Sequence, residues 1–103
     1  MLLATHDLAA ATQTLLYEVP AGKRAAISVN LCARTGAPTV RLALTTGAPP
    51  EAANWIEYDT ALSAGSGGVL GRSGIVLGAG QQVYARASAA GVSAAVWGIE
   101  EVL

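Results

Sequence analysis

From Arg24 to Arg34 the chain alternates. Ala25, Ile27, Val29, Leu31 and Ala33 fall on one parity, and Arg24, Ala26, Ser28, Asn30, Cys32 and Arg34 on the other. A period of two sustained over this length predicts a half-buried strand. Thr35-Gly36-Ala37-Pro38 supplies turn residues. Val40, Leu42 and Leu44 then alternate with Arg41, Ala43 and Thr45, so the two runs predict an antiparallel hairpin.

Thr14 to Val19 predicts an earlier strand, closed by a turn within Val19-Pro20-Ala21-Gly22-Lys23. Trp55–Asp59 predicts a short strand after the proline-bearing loop Gly47-Ala48-Pro49-Pro50. Ile75-Val76-Leu77 is apolar throughout and lies between glycines. Gln82–Ala87 places Val83, Ala85 and Ala87 on one face, and a last strand from Val92 to about Glu100 turns Val92, Ala94 and Val96 inward. Trp97 and Ile99 fall on the opposite parity, so either a bulge flips them or they face a partner. Between these runs, Ala61 to Gly74 reads as one long Gly/Ser-rich loop.

Short strands separated by turn signals about every 8–12 residues predict an all-β fold. The expected architecture is a single small antiparallel β-sandwich, jelly-roll-like or immunoglobulin-like, of about seven to eight strands. It spans residues 13–103, with Ile27, Val29, Leu31, Val40, Leu42, Leu44, Val83 and Val96 in the core. Residues 1–12 are expected to form an N-terminal arm, with a short helix capped by Asp7 as the alternative.

Composition changes the picture in two ways. Of 103 residues, 22 are alanine and 12 are glycine, against 12 Leu, 9 Val, 4 Ile and no Phe. The core is therefore built from small side chains, and the length suits one domain. Six basic and seven acidic residues leave a net charge of −1, without the basic footprint that nucleic acid requires. No apolar run approaches the ~18 residues of a membrane span. Met1-Leu2-Leu3-Ala4-Thr5-His6-Asp7 lacks the basic start of a signal peptide. The expectation is a soluble protein made in the cytoplasm, with neither nucleic acid nor membrane as partner.

Candidate chemistry is sparse. His6 is the only histidine and is expected to be a solvated terminal residue; Cys32, the only cysteine, is expected to pack as a small inert side chain. Glu57 and Asp59, two apart on a strand, are expected to share a face about 6.5–7 Å apart. That spacing admits acid–base work on a sugar or, with loop carbonyls, a calcium site. A solvated strand edge produces the same spacing, and no aromatic cleft accompanies it. Gly65-Ser66-Gly67-Gly68-Val69-Leu70-Gly71 lacks dinucleotide spacing, Gly22-Lys23 is followed by Arg24, and Gly71-Arg72-Ser73-Gly74 is not a nucleophile elbow. Arg24 and Arg34 share a strand face, which Arg41 joins if the hairpin forms. No enzyme, no cofactor and no metal are expected.

The stretch Leu15-Leu16-Tyr17-Glu18-Val19-Pro20-Ala21-Gly22-Lys23-Arg24-Ala25, continuing to Asn30-Leu31-Cys32-Ala33-Arg34, resembles small virion proteins of tailed bacteriophages. Those proteins open with a "tLYtVPAGKrA…vNvCNr" pattern and continue through a Y-D strand, a glycine-rich connection and a terminal GxE strand. Tyr58-Asp59, Gly78-Ala79-Gly80 and Gly98-Ile99-Glu100 match those pieces, and Ala33 departs from the family's asparagine. The resemblance implies a non-enzymatic structural component of the particle: a tail, baseplate or fibre-associated protein, or a head decoration protein. It would be made in the host cytoplasm and incorporated into the virion.

A chain this short would act by repetition. Only one lysine stands against five arginines, so its sheet edges are lightly guarded and copies of itself are the expected cover. A trimer is the form that the resembled virion parts suggest. Leu2, Leu3, Leu8, Trp97, Ile99 and Leu103 are the apolar residues least accounted for by the predicted core, and they are the expected contacts with other copies or with neighbouring virion proteins. The rival function is a small carbohydrate-binding module for host-surface attachment, which would need Trp55, Tyr58, Tyr84 or Trp97 lined along one exposed face.

Overall fold

A computed structural model describes residues 1–103. The strands are β1 (Leu2–Leu8), β2 (Thr14–Glu18), β3 (Lys23–Ala33), β4 (Thr39–Thr45), β5 (Trp55–Ala61), β6 (Val69–Leu77), β7 (Gln82–Ala87) and β8 (Val92–Val102). The alternation read along β3 holds at every position: Ala25, Ile27, Val29, Leu31 and Ala33 are buried, and the intervening residues face outward. β4, β7 and β8 turn their own small and branched residues toward it. The result is a core of 20 buried residues that includes all the expected ones except Leu44, which is half-buried against it.

The strands form two four-stranded sheets, ordered β1-β8-β3-β6 and β2-β7-β4-β5. All neighbours within each sheet are antiparallel. The expected β-sandwich is correct, and this strand order is the double-sheet jelly roll. Only β4 and β5 are both consecutive and paired; every other connection crosses from one sheet to the other.

Three expectations fail. β3 and β4 are not a hairpin: the turn after Ala33 carries the chain into the opposite sheet, so Arg41 does not share a surface with Arg24 and Arg34. The N-terminal arm expected over residues 1–12 is instead largely a strand of the sandwich. Leu2 to Leu8 pairs along β8, from Leu2 opposite Trp97 to Leu8 opposite Val92, with a bulge between Leu2 and Ala4. An edge strand with a bulge lacks clean alternation, which hides it in the sequence. Finally, the Gly/Ser-rich loop ends at Gly68, where β6 begins, and Val69, Leu70, Gly71 and Arg72 pair with Cys32, Leu31, Asn30 and Val29 of β3.

β3 and β8 pair in unbroken register from Lys23 opposite Val102 to Ala33 opposite Val92. Gly98 makes this possible. Its φ is 152°, and a Cβ there would lie 2.1 Å from the Ala26 carbonyl oxygen and 2.8 Å from Ile27 Cα. No bulge therefore reverses β8, and Trp97 and Ile99 stay on the outer face of the sheet.

Polar ties join the two sheets at their margins. His6 Nε2 on β1 donates to the Leu16 carbonyl of β2 at 2.9 Å, so the histidine is held, contrary to expectation. The Tyr17 hydroxyl of β2 donates to the Glu100 carboxylate of β8, and Lys23 Nζ lies 3.6 Å from the same carboxylate. Burial pushes the Tyr17 hydroxyl above the ordinary tyrosine range, and the hydrogen bond to Glu100 and that residue's charge act in the same direction. At the other margin the Glu57 carboxylate of β5 meets the Arg72 guanidinium of β6.

Candidate functional site

The outer face of the β1-β8-β3-β6 sheet carries one apolar stripe. Val76, Ala26 and Ile99 lie side by side across β6, β3 and β8, and Ser28, Trp97 and Leu2 form the next row across β3, β8 and β1. Val76 is 72% exposed, Leu2 65%, Ile99 62% and Trp97 41%. The stripe has a polar border at both ends. On one side Arg24 Nη2 contacts Glu101 Oε2 at 3.1 Å. On the other, Arg34 donates to Asp7 Oδ1 at 2.7 Å and to Ser93 Oγ at 2.8 Å. Cys32 lies in this polar part, half-exposed in a shallow dish with Thr5, Asp7, Asn30 and Ser93. It is not packed inside.

Of the residues expected at contacts, Leu2, Trp97 and Ile99 are thus brought together. Leu103 is exposed just beyond β8, with its N–H donated to the Gly22 carbonyl at 2.9 Å. Leu8 is a correction: it belongs to the core of the single chain, because β1 is a strand of the sandwich and its last residue turns inward opposite Val92. Leu3 is half-buried against the same core. Val76 and Ala26 were missed, although one signal was present. In the all-apolar run Ile75-Val76-Leu77 a strand must turn the middle residue away from its neighbours, and Ile75 and Leu77 are the buried ones.

The outer face of the β2-β7-β4-β5 sheet differs in character. Trp55, Ala43, Tyr84 and Leu15 form one row across β5, β4, β7 and β2. In the neighbouring row Arg41 stands directly opposite Arg86. The rings of Trp55 and Tyr58 meet edge-to-face, with centroids 5.8 Å apart and planes at 70°. The Arg41 guanidinium lies 4.0 Å from the centre of the Tyr58 ring. Arg41 also donates from Nε to Asp59 Oδ1 at 2.6 Å and from Nη2 to Oδ2 at 3.2 Å. Those hydrogen bonds hold the Asp59 carboxyl below its usual range, against some desolvation, and the charges of Arg41 and Arg86 add to the effect.

Asp59 has φ 52°, a left-handed conformation that aspartate tolerates better than most residues. The kink breaks the alternation of β5, so Glu57 and Asp59 do not share a face. Asp59 goes to Arg41 on the outer surface. Glu57 goes to Arg72 between the sheets and accepts from Thr60 Oγ1 at 2.9 Å. The paired-carboxylate arrangement expected from spacing is not assembled. No group of three or more His, Cys, Asp or Glu side chains is placed to hold a metal ion. Trp97 lies on the opposite sheet from Trp55, Tyr58 and Tyr84, so the four aromatics do not make one platform.

Fold and faces together define a small jelly-roll sandwich with one apolar outer face and one aromatic, arginine-bearing outer face. The chain matches no protein-family model, no curated protein and no solved structure.

Proposed function

We propose that this chain is a non-enzymatic structural protein of a tailed-phage virion. It works by repetition, with the outer face of the β1-β8-β3-β6 sheet covered by other copies of itself and by neighbouring virion proteins. The exposed stripe of Val76, Ala26, Ile99, Trp97 and Leu2 carries this reading. Contiguous apolar surface with a polar rim is the anatomy of a protein interface. The rim pairs Arg24 with Glu101 and Arg34 with Asp7, so each end is close to neutral and a second copy meets no net repulsion. The engagement of Glu57 by Arg72 and of Asp59 by Arg41 supports a role without catalysis. Placement in a virion, and the threefold form, rest on the VPAGK-centred resemblance.

Sedimentation velocity at micromolar concentration tests the assembly, with a trimer expected. Replacing Val76 and Ile99 together by Asp should give a folded monomer, because both side chains point outward and contribute little to the core. A wild-type chain that sediments as a stable monomer overturns the self-association. Mass spectrometry of purified particles tests the location, with many copies per particle expected.

A further inference from the structure

The opposite face presents a different chemistry. Tyr58 is 59% exposed, and with Trp55 and Ala52 it lines a shallow apolar notch. Arg41 and Arg86 stand directly opposite each other on β4 and β7. Like charges in that relation repel, and one carboxylate, Asp59, is shared between them. Asp59 is bonded to Arg41 through both oxygens. Arg86 takes part in none of the five ion pairs of the chain. The face therefore carries one more arginine than carboxylate, with Arg41 4.0 Å from the centre of the Tyr58 ring and Arg86 directly opposite Arg41 on the neighbouring strand.

From this juxtaposition we propose that Trp55, Tyr58, Arg41 and Arg86 form a binding site for a carboxylate-bearing pyranose, the ring unit of an acidic saccharide. Each part of such a ring has a counterpart here. Its C–H face packs on aromatic surface in the notch. Its carboxylate pairs with Arg86, whose planar fork suits that geometry. Asp59, fixed by Arg41 and still holding free lone pairs, accepts from a ring hydroxyl. A neutral sugar leaves the two arginines unbalanced, and an inorganic anion leaves the aromatic notch unused. The site lies on the sheet opposite the apolar stripe, so it does not rest on the assembly reading. A monomeric chain would retain it, and a trimer without saccharide binding would leave the assembly standing.

Nuclear magnetic resonance on the full-length, nitrogen-15-labelled chain decides the question, with Trp97 on the other sheet as an internal reference. The probes are trigalacturonate, a glucuronate disaccharide and an N-acetylneuraminate-bearing trisaccharide, with neutral galactotriose and sodium phosphate as controls, each raised to about 10 mM. At least one acidic sugar should shift the Trp55 indole N–H and the Arg86 amide together, with Kd about 1 mM or tighter, and leave Trp97 in place. Arg86→Gln should weaken that binding about tenfold, and Tyr58→Ala, an exposed position that keeps the fold intact, should weaken it at least as much. The proposal is overturned if none of the three acidic sugars moves Trp55. Equal binding of galactotriose makes the site a neutral one and also overturns it. Shifts confined to Arg86 and reproduced by phosphate mean a plain anion contact, which overturns it as well.

Discussion

At position 98 a single methyl group would collide with the Ala26 carbonyl oxygen at 2.1 Å, in a backbone conformation that L side chains rarely adopt. Relief requires β3 and β8, the two longest strands, to move apart. Gly98→Ala should therefore cost at least about 2 kcal/mol in urea unfolding, whereas Ala26→Gly on the facing strand should cost less. Tyr17 sets a limit at high pH. Its folded-state pKa is raised above the unfolded value of about 10, so above that pH the unfolded chain releases a proton that the folded chain retains. Stability attributable to Tyr17 is complete below about pH 10 and declines as pH rises beyond it. Alkaline titration followed by circular dichroism should show unfolding in that range, with a shallower decline for Tyr17→Phe, which cannot ionise. Neither residue announced its role in the sequence. Gly98 lies in a strand where glycine has no local purpose, and the partner of Tyr17 is Glu100 at the far end of the chain.

Strands β3, β4, β7 and β8 were legible because each is central in its sheet and buries alternate residues over much of its length: throughout β3, as far as Val96 in β8, from Val83 in β7 and at Val40 and Leu42 in β4. β1 and the first half of β6 were not. They are edge strands, bulged or glycine-bearing, and an edge strand buries too little to keep a clean alternation. Leu8 separates the two descriptions of the N-terminus. If residues 1–12 were an arm, Leu8→Ala would cost nothing in the isolated chain. With Leu8 in the core opposite Val92, it should cost about 2–5 kcal/mol, measured by equilibrium urea unfolding with unchanged slope. The failed β3–β4 hairpin belongs to the same scale. A turn between two alternating runs specifies that the chain reverses, and it leaves open whether the second run pairs with the first or crosses to face it.

For the molecule as a whole, a core rich in alanine and valine leaves each chain with modest buried area, and apolar area on the outside is the reserve that assembly would use. At about 25 cal/mol per Å², covering the Val76–Ile99–Trp97 stripe adds stability that a lone chain lacks. The melting temperature of the wild type should accordingly rise with protein concentration, and that of the Val76→Asp, Ile99→Asp double variant should not. The site on the other sheet was only partly foreseen. Trp55 and Tyr58 stand out in the sequence as aromatic candidates, but the surface that Arg41 occupies depends on whether β3 and β4 pair, and no local pattern associates Arg86 with them.

Local alternation was sufficient for the all-β class and the inward residues of the central strands, because side-chain direction in an unbroken strand depends only on parity; the outward direction of Trp97 and Ile99 was decided by the unbroken register of β8 against β3. Composition was sufficient for a small-residue core. Pairing was beyond its reach: β3 lies between β8 and β6, both distant in sequence, and long-range burial decides that choice. The two outward faces follow from pairing. Val76 meets Ile99 across Ala26, and Arg41 meets Arg86 and Asp59, only after eight strands have taken their places in two sheets.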